Sequence, residues 1–133
     1  MQNSEDWLAA ATQQLQQAGI DSARVDARCL LAHLLDQTPE QLLLQRVELH
    51  ETQVAALEGL LQRRIAREPL AHLTGRKEFW SLDFAVNRHT LIPRPDSETL
   101  IEAVLARLPD HSFSGTILDL GTGSGCLLLT LLH

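Results

Sequence analysis

The sequence predicts two architectures in succession. An α-helical bundle fills roughly the first seventy residues. A small β-hairpin then leads into the opening strand, turn and helix of an α/β unit. Three observations carry this. Apolar side chains recur at helical spacing from Trp7 to Ile65, interrupted at Gly19 and Pro39. Residues 72–86 change to short aromatic and β-branched runs around Gly75. Residues 116–126 pass from an apolar run through Asp119 into three alternate glycines, Gly121, Gly123 and Gly125, and an apolar segment follows.

Each element has its own signal. Ser4 is placed to cap a first helix with Trp7, Leu8, Ala11, Leu15 and Ala18 on its apolar positions, and Gly19 closes it. Asp21 or Ser22 caps a second, whose apolar set of Val25, Cys29, Leu30, Leu31, Leu34 and Leu35 is broad enough to make it the most buried. Pro39 opens a short third helix through Leu42 to Leu44. Thr52 begins a fourth, with Val54, Leu57, Leu60, Leu61 and Ile65 on one face, and it ends before Pro69 because the residue preceding a proline avoids the helical region. These stripes read as the core of a four- or five-helix bundle. Phe79, Trp80, Phe84 and Val86 belong to the hairpin, Pro93 and Pro95 stiffen an extended loop, and Ser97 to Leu108 form a helix. Pro109 to Gly115 is a turn-rich connection. Thr116 to Leu120 lacks polar alternation, as strands buried on both faces do, and Ser124 to His133 begins a leucine-rich helix.

The glycine loop narrows the chemistry. Glycines let a backbone turn sharply and approach a ligand closely, because no Cβ intervenes. A Walker loop needs G-x-x-x-x-G-K-[ST], but counting from Gly121 places Cys126 and Leu127 at the sixth and seventh positions. A dinucleotide fingerprint needs G-x-G-x-x-G, and its third glycine would also fall on Cys126. Here the third glycine comes one residue early, and Asp119 stands two residues before the first.

This D-x-G-x-G-x-G arrangement resembles motif I of class I S-adenosylmethionine-dependent methyltransferases. Two further segments sharpen the resemblance: H-L-T-G-R-K-E-F-W from His72 to Trp80, and L-I-P-R-P-D-S-E from Leu91 to Glu98. In this order the three resemble the HemK-type release-factor glutamine methyltransferases over essentially the whole chain. The resemblance implies a helical substrate-docking domain over 1–71, a β-hairpin linker over 72–88, and over 89–133 the beginning of a Rossmann-like class I methyltransferase domain. It implies S-adenosyl-L-methionine as cofactor, held by Asp119, Gly121, Thr122, Gly123, Ser124 and Gly125. The implied reaction is an in-line displacement in which a glutamine side-chain nitrogen takes the methyl group. An amide nitrogen is a poor nucleophile, so catalysis rests on positioning and electrostatics. The implied substrate is the glutamine of the Gly-Gly-Gln loop of peptide chain release factors.

The family's Asn-Pro-Pro-Tyr motif does not occur, since the only asparagines are Asn3 and Asn87. The acidic residue expected about twenty positions after the loop to hold the ribose is likewise absent. The chain is therefore expected to be an inactive N-terminal fragment, with no catalytic residue of its own. A lone strand cannot satisfy its ladder hydrogen bonds, so residues from about 110 onward are expected to be mobile, to aggregate, or to pair with another chain. Two other readings stay open: a non-catalytic module that docks on release factors, and a methyltransferase for a ribosomal-protein glutamine.

Several residues carry two readings. Asp119 is either a ligand-orienting carboxylate or a helix cap. Phe79 and Trp80 either line the cofactor pocket or pin the hairpin. Arg94, Asp96 and Glu98 are candidates for a local ion network. Arg63, Arg64, Arg67, Arg76 and Lys77 place five of eleven basic residues within fifteen positions, either as a docking patch or as a solvated helix end. The net charge of −6 argues against coating nucleic acid, and no direct nucleic-acid partner is expected. No apolar run approaches the roughly 20 residues of a membrane span. The acidic start lacks the pattern of a secretory signal, and the six histidines lack metal-ligand spacing. Cys29 and Cys126 read as buried free thiols suited to a reducing cytoplasm, and a monomeric intact enzyme is expected.

Overall fold

A computed structural model describes residues 1–108, 110 and 112–133. Pro109 and His111, within the connection read as turn-rich, lie outside the described residues. The chain divides into two compact units, Met1–Thr74 and Gly75–His133, and each is taken by itself.

The first unit is helical, as read. Strand β1 (Gln2–Asn3) pairs antiparallel with β2 (Glu48–Leu49) and so draws the start of the chain onto its middle. Helix α1 (Ser4–Gln17) follows, with Trp7, Ala11 and Leu15 buried at helical spacing. Its cap is Asn3 rather than Ser4: the Asn3 Oδ1 accepts the Glu5 N–H at 3.0 Å. Ser4 is instead buried, donates its N–H to the Val47 carbonyl at 2.9 Å and accepts the Val47 N–H on its Oγ at 3.1 Å. The helix closes in a Schellman turn. Gly19 sits at φ +76°, and Ile20, itself buried, donates back to Leu15.

Helix α2 (Ala23–Leu35) carries more buried positions than any other helix, as expected, but the face it buries is shifted. Ala23, Asp26, Ala27, Leu30, Leu31 and Ala32 are inside, while Val25 is 59% exposed. Three of these six are alanines. Ser22 holds the N-cap position without a side-chain bond. The third helix shrinks to a 3-10 turn over Gln41–Leu43, held by reciprocal bonds between Thr38 and Gln41. Leu42 is buried there, whereas Leu43 and Leu44 are 63% and 86% exposed. Helix α3 (Glu51–Ile65) starts one residue before the Thr52 expected, with His50 as its N-cap, whose N–H is accepted by Gln53 Oε1 at 2.9 Å. Leu57 and Leu61 fill the core beneath it. A short helix α4 (Leu70–Thr74) takes in residues 72–74, which the sequence reading gives to the hairpin linker, and it brings Ala71 and Leu73 inside.

The second unit begins with the hairpin β3 (Arg76–Phe79) and β4 (Leu82–Ala85), in the register Phe79 with Leu82 and Arg76 with Ala85. Its two-residue turn, Trp80 and Ser81, has φ of 51° and 59°, the pattern of a type I′ turn. Phe79 and Phe84 face inward and meet edge to face at 6.4 Å. A 3-10 turn over Pro95–Ser97 leads into helix α5 (Glu98–Leu105), and helix α6 (Cys126–Leu132) follows the glycines.

The expected buried strand over Thr116 to Leu120 is not formed. Leu118 and Leu120 are 80% and 83% exposed. A strand exists only where a neighbour accepts and donates its ladder bonds, and among the described residues both sheets are two-stranded pairs elsewhere. The Rossmann-like sheet is accordingly not seen.

Candidate functional site

The glycine loop is the part of the second unit where sequence demands the least common backbone. Gly121, Gly123 and Gly125 stand at φ +68°, +60° and +80°, all left-handed, where a side chain costs about 1–2 kcal/mol. The alternation read in the sequence is thus an alternation of conformation. A Cβ placed on Gly121 or Gly123 would meet no heavy atom within 4 Å. Gly121 and Gly123 therefore present bare backbone to open space, while a Cβ on Gly125 would touch Leu129 Cδ1 at 3.4 Å.

Internal hydrogen bonds fix the loop. Thr122 donates its hydroxyl to Asp119 Oδ2 at 2.9 Å, and Gly125 donates its N–H to the Thr122 carbonyl at 2.9 Å. Leu129 then donates to Gly125 at 2.8 Å, starting α6 with Gly125 as its N-cap. Asp119 is therefore not the helix cap. Its carboxylate is half-buried, tied to Thr122, with a second oxygen turned to no protein partner among the described residues. The structure brings Asp119, Thr122 and Gly125 together by direct bonds, with Gly121, Gly123 and Ser124 between them in the same turn.

The hairpin, α5 and α6 share one apolar cluster. Phe79 and Phe84 of the hairpin and Ile101 of α5 are its buried members, and Trp80, Leu82, Cys126, Leu127 and Leu131 pack against them. Phe79, 2% exposed, is core and pins the hairpin to the apolar cluster. The tip of the hairpin is also tied by a polar bond, since Trp80 donates its N–H to Glu98 Oε1 at 3.0 Å. Sequence reasoning missed this link. Glu98 was grouped with Arg94 and Asp96, but among the described residues those three form no ion network. The nearest available signal was a carboxylate at the first position of a helix, which does not name its donor.

Four of the five cations in the basic cluster, all but Lys77, have partners within the chain. Arg63 donates to Glu68 at 2.7 Å and holds that carboxyl below its ordinary value. Arg64 pairs at 2.8 Å with Asp26, whose side chain is only 4% exposed. Arg67 donates to the Ala18 carbonyl at 2.7 Å, at the open end of α1. Arg76 pairs with Asp83 across the hairpin at 3.2 Å. Cys29 and Cys126 form no disulfide among the described residues and are half-buried. Among the described residues no group of His, Cys, Asp or Glu is arranged to hold a metal, and no helix is long and apolar enough to cross a membrane.

Residues 6–75, more than half of the chain, match the model of the PrmC N-terminal domain. The chain belongs to this family. Among its relatives is the release factor glutamine methyltransferase of Vibrio cholerae serotype O1, 47% identical over 125 residues, which covers 93% of this chain and 43% of that protein. The protein of the same name from Rhodospirillum rubrum is 48% identical over 120 residues, covering 89% of this chain and 36% of its own length. A bifunctional methyltransferase of Rickettsia conorii is 39% identical over 149 residues, with 94% of this chain and 28% of that one covered. The chain thus spans less than half the length of these relatives. The matches bear out the resemblance that the His72–Trp80, Leu91–Glu98 and Asp119–Gly125 segments carry.

Proposed function

We propose that these residues are the N-terminal part of an enzyme that transfers a methyl group from S-adenosyl-L-methionine to the glutamine of the Gly-Gly-Gln loop in peptide chain release factors. One observation carries the reading: of three alternate glycines, all left-handed, Gly121 and Gly123 leave bare backbone facing open space beside a half-buried Asp119. Relatives named release factor glutamine methyltransferase support it.

In this reading residues 1–71 dock the substrate, 72–88 link, and 89–133 begin a Rossmann-like class I methyltransferase domain. Asp119, Gly121, Thr122, Gly123, Ser124 and Gly125 hold the cofactor. When bound, S-adenosyl-L-methionine supplies an electrophilic methyl group on a sulfonium sulfur. The residues present suit its amino-acid end. Asp119 offers negative charge to an ammonium group, and Thr122 fixes the orientation of that carboxylate through their 2.9 Å bond. Gly121 and Gly123 admit the ligand where any Cβ would stand in its way. Phe79, Ile101 and Leu127 support the loop from below. The protein works in the cytoplasm, as a monomer, on a protein substrate.

The test is label transfer. A longer enzyme that contains these residues should move a labelled methyl group from the cofactor to a release factor, and replacing the glutamine of Gly-Gly-Gln by asparagine should stop it. The 133-residue polypeptide alone, which lacks Asn-Pro-Pro-Tyr, should transfer none. Labelling by that polypeptide, or undiminished labelling of the asparagine variant, overturns the reading.

A further inference from the structure

We infer that the groove between α1 and α2 in the first unit is where this chain grips an acidic, amphipathic segment of its protein substrate. Leu8, Leu42 and Leu43 give the groove an apolar floor and wall, and Arg24 and Arg28 stand along it; it encloses about 550 Å³.

Two features set this surface apart. The first is charge. Arg46, Arg63, Arg64, Arg67 and Arg76 are all engaged within the chain, in ion pairs or on helix-end carbonyls. Arg24 and Arg28 have no hydrogen-bond or ion-pair partner among the described residues. They lie four positions apart on α2 and so project from one face, a turn from each other. In a chain of net charge −6, two uncommitted cations on one helical face mark a place for negative charge from outside. Glu5, also in the groove, is already paired with Arg46 at 3.1 Å.

The second feature is exposed apolar surface. Leu43, on the 3-10 turn that lines the groove, and Leu44, which caps that turn, are 63% and 86% exposed, and Val25, between the arginines in sequence, is 59% exposed. Paired cations beside displayed leucines complement an amphipathic segment with carboxylates along one side and apolar side chains along the other. Guanidinium groups also favour carboxylates through their forked geometry.

This inference rests on the release-factor reading and deepens it. The test titrates a release factor into the 133-residue chain, at low and at physiological salt. Three variants are compared with it: Arg24→Glu with Arg28→Glu, Leu43→Asn with Leu44→Asn, and a charge-matched control, Arg88→Glu with Arg107→Glu. Circular dichroism melts confirm that each is folded. Both groove variants should weaken binding at least tenfold, the arginine pair should lower the salt dependence, and the control should bind like the unmutated chain. If the arginine variant binds as tightly as the unmutated chain, or the control weakens equally, the groove assignment fails while the release-factor reading stands. If the unmutated chain does not bind a release factor at all, the groove assignment fails, and the release-factor reading is decided by label transfer in the longer enzyme.

Discussion

At the scale of single residues, Arg67 shows how one side chain is asked to do two things. Its backbone is left-handed, at φ +72°, where it ends α3, and its guanidinium reaches the terminal carbonyls of α1. Arg67→Ala removes the reach and keeps the strained backbone. Arg67→Gly removes both, so the glycine variant should be the more stable of the two by about 1 kcal/mol in urea unfolding. Asp26 and Arg64 pose a different balance, since one is nearly closed off and the other 17% exposed. Asp26→Ala should cost about 3 kcal/mol, because it strands a cation with little water around it. Glu68 makes a pH prediction. Its carboxyl is lowered by the hydrogen bond from Arg63, so its contribution is full above the ordinary carboxylate value and fades as pH falls through the lowered one. In Arg63→Gln, an NMR titration should find Glu68 back in the ordinary range. Gly123 belongs to function. At φ +60° a valine strains the loop, and in a longer enzyme it also fills the ligand's approach, so calorimetry should find cofactor affinity cut at least tenfold by Gly123→Val. Unchanged affinity would leave the glycines a purely structural part.

At the scale of elements, the hairpin turn is the clearest place to gain stability. Ser81 is exposed and left-handed, so Ser81→Gly should raise the melting temperature of the chain by a few degrees, about 1 kcal/mol. Trp80 is no candidate for the same change, because it packs on the apolar cluster and its N–H is held by Glu98. The elements also show where sequence reading succeeds and stops. Helices α1 and α3 were legible because Trp7, Ala11 and Leu15, and Leu57 and Leu61, repeat at a period that needs no knowledge of the neighbour. The left-handed glycines were legible for the same local reason. Asn3 and Ser4 both have capping chemistry, and what separates them is Val47, far along the chain, which takes Ser4 for itself. The roles of Arg64 and Arg67 were hidden likewise, since their partners are 38 and 49 positions away. Thr116 to Leu120 failed as a strand because a strand's existence depends on another segment, whereas a helix carries its own hydrogen bonds.

At the scale of the whole molecule, the two units should differ in order. The first has one continuous core, running from Trp7 through Leu30 and Leu31 to Leu61 and Leu73. Residues 1–74, expressed alone, should therefore melt cooperatively by circular dichroism; a gradual, featureless loss of helix would deny them independence. The second has a small cluster and displays Leu118, Leu120 and Leu132. Each fully exposed leucine forfeits about 1.5–3 kcal/mol of burial. Hydrogen exchange on a monomer should find the amides of Leu118 and Leu120 unprotected while those of Leu30 and Leu31 are slow. Protection of Leu118 and Leu120 in a proven monomer would contradict this. The reach of Arg67 to Ala18 has one more consequence, and it concerns time. A bond spanning 49 positions closes a long loop, whose entropy has to be lost before the bond returns anything, whereas α1 and α2 are joined by a short connection and meet early. The arginine is then a latch that drops after the barrier is crossed. Its loss should leave the refolding rate nearly untouched and appear almost wholly as faster opening of the native bundle, so that a contact at the rim of the fold sets how long the fold lasts rather than how soon it forms.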